Sequence, residues 1–393
     1  MKRLKLLFAS YVGILMVLFS YSFTQVDLSL TLSRLSIYQT LEKSFQYVGF
    51  YQRPLSALIF SVLFSLLFVF YGIFLYLSKE GKVQIKHFKI LIFLTFIILV
   101  FSYNAFSYDL FNYIFDAKIL THYAQNPYLH KASDFAGDPM LNFMRWTHRD
   151  YPYGPSWLLL TVPLSFIGMN IFLPTFFMFK LLMGFSFLGS CYLVYKISEI
   201  LFPEKKLFNL VFWAFNPLVI VESLVSAHND IPMVFFILLS VYLFLQKKKA
   251  LSFLSYLFSV GIKFSTGVLI PLVFLLIFLE KTKRKIDWEK ILLFAVCLSL
   301  VTIPLAVFRT TFQPWYIIFP LSLATFISKK IYIFIPFFTA SVFGVLIYVP
   351  YVYMTDYAKS YPAIIQNIEI AGVFSIVALT AIFFIKIKLL SKH

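Results

Sequence analysis

The chain has 393 residues, 61% of them hydrophobic and 13% charged, with a mean hydropathy of +0.85. A soluble globular chain is nearer half apolar and a quarter charged, so a soluble enzyme, a secreted disulfide scaffold and a disordered chain are excluded, and a polytopic membrane protein remains. The net charge of +17, which on a soluble protein would suggest nucleic acid, is here expected from Lys- and Arg-rich cytoplasmic loops, with no nucleic-acid partner.

Met1-Lys2-Arg3-Leu4-Lys5 precedes an apolar run from Leu6 to about Phe23. No A-x-A-like site follows, so the run reads as a first transmembrane helix rather than a signal peptide. Further runs span roughly 54–77, 90–106, 155–200, 207–226, 231–246, 250–280, 291–308, 314–328, 331–352 and 371–390. The expected fold is an all-α, polytopic transmembrane bundle of about 11–13 helices. It forms one integral domain over 1–393, whose 309–393 segment supplies C-terminal transmembrane helices. Basic clusters separate the runs: Lys79/Lys82/Lys86/Lys89, Lys196/Lys205/Lys206, Lys247/Lys248/Lys249, Lys281/Lys283/Arg284/Lys285/Lys290, Lys329/Lys330 and Lys386/Lys388/Lys392. Placing them all inside with the N-terminus gives 23 basic residues against 6 acids on the cytoplasmic side, and leaves 11 of each sign elsewhere. Both termini are then cytoplasmic.

Two runs have awkward lengths. Residues 250–280 carry basic clusters at both ends and so must cross twice or re-enter, with a break near Gly261-Ile262-Lys263. Residues 155–200 need an odd number of crossings and are too short for three. One crossing over roughly 172–197 is expected, plus a short or re-entrant helix at 155–169. Broken helices are tolerated in a bilayer where they line a cavity, so both irregularities point at a site.

The outer side carries loops at about 25–53 and 107–154, short ones near 227–230 and 309–314, and a tail loop at 353–370. The 107–154 loop, after the third span, holds Asp109, Asp116, Asp134, Asp138 and Asp150 with His122, His130 and His148. Asp134 and Asp138 read as helix caps. Asp109 follows a nearly uncharged run and is flanked by Tyr108, Phe111 and Tyr113, which makes it a desolvated carboxylate able to act as a general base. Asp116, seven residues on, shares its face if the segment is helical. A surface pair with Lys118 is the alternative.

Arg145, His148 and Arg149 form an outer cationic cluster suited to a lipid phosphate, or to pairing with the loop's own acids. Glu222, Ser226, His228, Asn229 and Asp230 stand at the end of one helix and the turn beyond it. Ionisable groups this near hydrocarbon are expensive and usually functional. They suit sugar or metal contact, or else form a structural polar turn, while His228 and Asp230 alone do not make a metal site. Lys263, at the break in the hairpin, needs an anion unless it snorkels to the interface. Arg309 and Gln313-Pro314-Trp315-Tyr316 stand at another helix end, with the aromatics either stacking on substrate or forming an interfacial belt.

Ser107-x-Asp109, Tyr113, Asn126-Pro127-Tyr128 and Tyr151-Pro152-Tyr153-Gly154-Pro155 together resemble the first outer loop of GT-C glycosyltransferases. Among these they resemble the bacterial polyprenyl-phosphomannose-dependent α-mannosyltransferases of lipoglycan assembly. Asn216-Pro217-Leu218 with Ala227-His228-Asn229-Asp230 resembles their next signature. Lys263-Phe264-Ser265-Thr266 resembles their Lys-Pro-Thr with Phe replacing Pro, and Gln313-Pro314-Trp315-Tyr316 resembles their Pro-Trp-Tyr. Order and spacing agree over about residues 100–320.

The resemblance implies a GT-C fold and an inverting hexosyl transfer, with mannose as the sugar, on the extracytoplasmic face. The donor is a polyprenyl-phosphate sugar and the acceptor a lipid-linked or cell-envelope glycan, among membrane lipids. Asp109 becomes the catalytic base. The substrate-binding set is Asp116, Arg145, His148, Arg149, Tyr153, His228, Asn229, Asp230, Lys263, Arg309, Gln313, Trp315 and Tyr316. The paired acidic motif of many relatives is absent, since Leu110 and Phe111 follow Asp109. No cofactor is then required, and a divalent metal is not supported. A transporter or lipid flippase, and a polysaccharide ligase of another membrane fold, are the competing readings.

Overall fold

The computed structural model describes residues 2–354 and 361–390. Lys392 and part of the 353–370 tail loop fall outside them. Among the described residues the chain is helical and without strands. Its helices are α1 (Lys2–Ser22), α2 (Ser36–Gln46), α3 (Arg53–Lys79), α4 (Ile85–Leu99), α5 (Asp109–Thr121), α6 (Pro155–Ile167), α7 (Phe172–Leu201), α8 (Lys206–Ala214) and α9 (Pro217–Ile220). They continue with α10 (Asp230–Leu245), α11 (Lys249–Ile262), α12 (Ile270–Lys281), α13 (Trp288–Leu300), α14 (Thr302–Val307), α15 (Ile318–Ala324), α16 (Ile331–Leu346), α17 (Tyr348–Tyr353) and α18 (Tyr361–Leu390).

Among the described residues seven stretches are long and apolar enough to cross a membrane: Lys2–Gln25, Arg53–Lys79, Phe172–Leu201, Phe264–Lys281, Trp288–Val307, Ile331–Tyr353 and Tyr361–Lys386. An eighth is added if the bent pair Pro203–Ala214 and Pro217–Val225 is one span. Four shorter apolar helices, Pro155–Ile167, Asp230–Leu245, Lys249–Ile262 and Pro314–Ile327, accompany them. The all-α, multi-pass reading of the sequence therefore holds. The run at 90–106 gives only the 15 residues of α4.

Lipid is as apolar as leucine, so packing detail and internal hydrogen bonds hold such a bundle together. The α1–α3–α4 corner is an aromatic cluster. Tyr11 and Phe74 meet edge to face at 5.1 Å between ring centroids, and Phe74 meets Phe215 at 4.9 Å. Each such pair adds about 0.5–1.5 kcal/mol beyond the area it buries. Two of its buried hydroxyls are satisfied: Tyr11 bonds Thr95 Oγ1 at 3.1 Å, and Tyr71 donates to the Phe212 carbonyl at 2.9 Å.

Both awkward runs resolve as their lengths and charges require. Residues 155–200 become the short α6 and the long α7. Residues 250–280 become α11 and α12, interrupted at Lys263 by extended backbone and the 3-10 turn Phe264–Leu269. The far ends of that hairpin are joined by Lys249 and Glu280 at 2.9 Å. At the same end of the bundle Glu289 takes both Lys205 (3.2 Å) and Lys330 (2.6 Å), and Glu199 takes Lys196 (2.8 Å) and Lys206 (3.3 Å). Lys196, Lys205, Lys206, Lys249 and Lys330, from three of the basic clusters, thus gather at one end. The acidic residues of the 107–154 loop lie beyond the other ends of the same helices.

Candidate active site

Asp109 opens α5, its backbone N–H held by Ser107 Oγ at 3.1 Å. A carboxylate in the first helical turn is favoured by the unpaired N–H groups there. Tyr113 and Asp116 follow at helical spacing, so all three share one face. Tyr113 is buried with its ring edge-on to Tyr153 and to Trp157, both at 5.4 Å, and its hydroxyl is 3.5 Å from Asn229 Oδ1. Arg149 arrives from the end of the loop. It donates to Asp116 Oδ2 at 3.3 Å and to the Tyr153 hydroxyl at 3.2 Å.

The opposite wall comes from two helix breaks. Asn216 caps α9 by accepting from the Leu218 N–H, and Pro217 follows it, so the chain bends by 54° between α8 and the next segment. A π-helical turn at Val221–Val225 carries Glu222, and α10 begins with Asp230. Ala227 between them has φ of 55°, a left-handed conformation that lets the turn close. Asp230 holds Lys263 with both oxygens, at 2.7 and 2.9 Å. Lys263 also lies 5.8 Å from the Tyr316 ring centroid.

The two walls meet at a glycine contact. A Cβ on Gly154 would stand 2.3 Å from the Gly261 carbonyl oxygen, and one on Gly261 would stand 2.2 Å from Ser156 Oγ. Only bare backbone lets the start of α6 approach the end of α11 this closely. That approach sets Tyr153 near Lys263.

The charges are interlocked. Burial raises the pKa of Asp109, while Arg149 and Lys263 oppose the rise and Asp230 adds to it. Burial lifts Asp116 to about 7 although Arg149 pulls it down, and the charge of Asp109 adds to the rise. Arg149 stays a firm cation, because Tyr153, Asp116 and Asp109 more than offset its burial. The site thus has one half-buried carboxylate with an elevated proton affinity, within electrostatic reach of two cations that are each already oriented by a carboxylate of its own.

The structure brings together Asp109, Asp116, Arg149, Tyr153, Asn229, Asp230, Lys263 and Tyr316 from the sequence-derived set. His228 lies just behind, its ring centroid 3.8 Å from that of Trp315. The rest go elsewhere. Arg145 pairs with Asp27 at 3.8 Å and stacks over Tyr108 at 4.9 Å. Gln313 donates to Thr311 Oγ1 at 3.0 Å, and His148 and Arg309 are exposed. Lys118 pairs with Asp138, not Asp116. Asp138 also caps a 3-10 turn through the Met140 N–H, and Asp134 accepts from the Lys131 N–H, so both are caps as the sequence suggests.

Two partnerships escaped the sequence. Tyr348 donates to Glu222 Oε1 at 2.8 Å, with Glu222 Oε2 3.6 Å from His228 Nδ1. Lys180, buried within α7, donates to the carbonyls of Leu224 and Val225 and to Ser102 Oγ. Among the described residues no group of three or more His, Cys, Asp or Glu is placed to hold a metal ion.

A family model described as the alpha-(1->6)-mannopyranosyltransferase N-terminal domain matches residues 12–279. The match starts inside α1, far before the motifs read from the sequence, and stops in α12, before Gln313-Pro314-Trp315-Tyr316. No curated protein and no solved structure matches the chain.

Proposed function

The chain belongs to the alpha-(1->6)-mannopyranosyltransferase family and is a mannosyltransferase, and we propose that it takes mannose from a polyprenyl-phosphate donor on the extracytoplasmic face. The acceptor is a hydroxyl of a lipid-linked or cell-envelope glycan, and the anomeric centre inverts. The observation that supports this most is the half-buried Asp109 within electrostatic reach of Arg149 and Lys263. In the step, the acceptor oxygen bonds to the anomeric carbon as its proton passes to Asp109. The bond from that carbon to the phosphate oxygen breaks, and its electron pair leaves with the phosphate. Elevated proton affinity makes Asp109 a better base than an ordinary surface carboxylate. Preset cations stabilise the departing phosphate without reorganising at the moment of reaction.

Lys263 has two of its three N–H groups on Asp230, which leaves one for a phosphate oxygen. Arg149 is similarly held by Asp116 and Tyr153. Asn229 and Asp230 contact sugar hydroxyls, and Trp315 and Tyr316 line the donor's path. The gathering of Lys-rich helix ends at the opposite pole supports an extracytoplasmic site with both termini inside.

Asp109→Asn tests the role, because it keeps the shape and removes the base. Transfer from mannosyl-phosphoryl-polyprenol in proteoliposomes should fall by about 10²–10⁴-fold with thermal stability retained. Wild-type transfer by this variant overturns the assignment.

A further inference from the structure

The helix α2 is turned the wrong way for a water-exposed element. At roughly 100° per residue, Ile37, Leu41, Phe45 and Val48 fall on one stripe. Yet Ile37 is 79% exposed and Leu41 54%, with Leu35 before them at 72%. The residue that α2 buries is the charged one. Glu42 is 4% exposed, accepting from Thr31 Oγ1 at 2.8 Å and from the Leu32 N–H at 3.1 Å. Gln46 likewise turns inward and donates to the carbonyls of Val26 and Asp27, both at 3.3 Å. Lys43, Thr40 and Ser44 complete a third, exposed and polar side. Looking down the axis, the protein-facing side (Glu42, Gln46) lies about a third of a turn from the apolar stripe, and the Lys43 side lies beyond it.

A helix with three such sides fits a place where three media meet: protein, water and hydrocarbon. Its position agrees. It packs on the 3-10 turn Phe23–Gln25 that ends the span begun by α1, and on the π-helical turn Tyr47–Tyr51 that leads into α3. Both turns adjoin helices long and apolar enough to cross a membrane. Exposed apolar and aromatic side chains continue beyond the helix, at Tyr47 and Tyr51 and then at Leu55, Leu58 and Val62 of α3. Tyrosines are enriched at that level of a membrane, and Arg34 and Lys43 suit phosphate headgroups.

We propose that α2 lies flat in the outer interface of the bilayer, its Ile37–Leu41–Phe45 stripe on the acyl chains and its Lys43 side in water. The arrangement also fixes the depth of the reaction. Gln46 grips the backbone of Asp27, whose side chain accepts from the Tyr108 hydroxyl at 3.1 Å, and Tyr108 directly precedes Asp109. A helix seated on the lipid surface thereby holds the base at a set height above it, where a lipid-borne sugar phosphate is presented. This last point rests on the proposed function, and the seating of the helix does not.

The test is site-directed spin labelling of the full chain in phosphatidylethanolamine–phosphatidylglycerol liposomes. The background is Cys297→Ser, since Cys297 is the exposed native cysteine and Cys191 is buried. Labels go on Leu41→Cys and Lys43→Cys, both exposed positions that touch nothing catalytic. The expected result is a Leu41 label relaxed mainly by oxygen and hardly by an aqueous nickel chelate, with the reverse at Lys43. Strong nickel relaxation at both positions puts the helix in water and overturns the proposal. Weak relaxation by both agents at Leu41 means that protein, such as a second copy of the chain, covers the stripe, and overturns it equally. Activity of Asp109 variants bears on neither outcome, so this test and that of the transfer mechanism fail separately.

Discussion

Replacing Gly154 by alanine tests the geometry of the site with a single methyl group. That carbon would sit 2.3 Å from the Gly261 carbonyl oxygen and 2.8 Å from its carbonyl carbon, whereas ordinary contact begins near 3.4 Å. Both obstructing atoms are backbone, so no rotamer relieves the clash, and the start of α6 must part from the end of α11 by about 1 Å. Tyr153 and Lys263 ride on the two sides of this contact, one residue and two residues away. Overpacking of this kind costs about 1–3 kcal/mol of stability, and a 1 Å displacement of reacting groups costs about 10²-fold in rate. The expectation for Gly154→Ala is a kcat reduced by about 10²-fold in a mannosyl-transfer assay, with a modest fall in Tm. Gly261→Ala should be milder, because its nearest obstacle is the Ser156 hydroxyl, which can rotate. Gly13→Ala in α1, where nothing lies within 4 Å, is the control and should be neutral. Activity of Gly154→Ala within twofold of wild type would falsify the view that this approach sets the catalytic distance.

Three further outcomes follow from the same structure. Because burial raises Asp109 and the base must be ionised to work, kcat/KM should climb with pH along a limb lying above the ordinary carboxylate range of about 4. Tyr113→Phe removes a hydrogen bond that favours the charged form, so it should move that limb to still higher pH, and a shift toward acid contradicts the assignment. Lys180→Met strips the cation from the carbonyls of Leu224 and Val225, and buried groups left unpaired cost about 1–3 kcal/mol each. Its thermal unfolding in detergent should therefore begin several degrees below wild type, and an unchanged transition would show those carbonyls satisfied in another way.

What the sequence reveals here depends on whether a feature leaves a one-dimensional trace. The break at Lys263 and the split of 155–200 are legible because run length and flanking charge must agree with whole crossings of a bilayer. Asp109 is legible because a carboxylate after an uncharged run is unusual in itself. The 54° bend at Asn216-Pro217 leaves no trace in hydropathy, since both arms are apolar and buried. Tyr348 sits in an apolar run 126 residues from Glu222, and nothing local marks it. Lys180 looks like a stray charge until the carbonyls it caps are seen. The segment 25–53 reads as a loop because α2 is too short to register as a span. Arg145 and Arg149 are four residues apart and chemically alike, yet the fold sends one to Asp27 and the other to Asp116.

The partners of His228 and Glu222 come from beyond the part of the chain shared with the family model, which stops at residue 279. The site is therefore a joint between two stretches of polypeptide. The pairs His228–Trp315 and Glu222–Tyr348 should be inherited together, because exchanging either stretch alone would strand a buried polar side chain. The exposed turn at Lys283, between α12 and α13, separates the two stretches and is the place to test this by supplying the chain as two polypeptides. Each fragment alone would be a poor folder, and co-insertion into one membrane is the condition for regaining transfer.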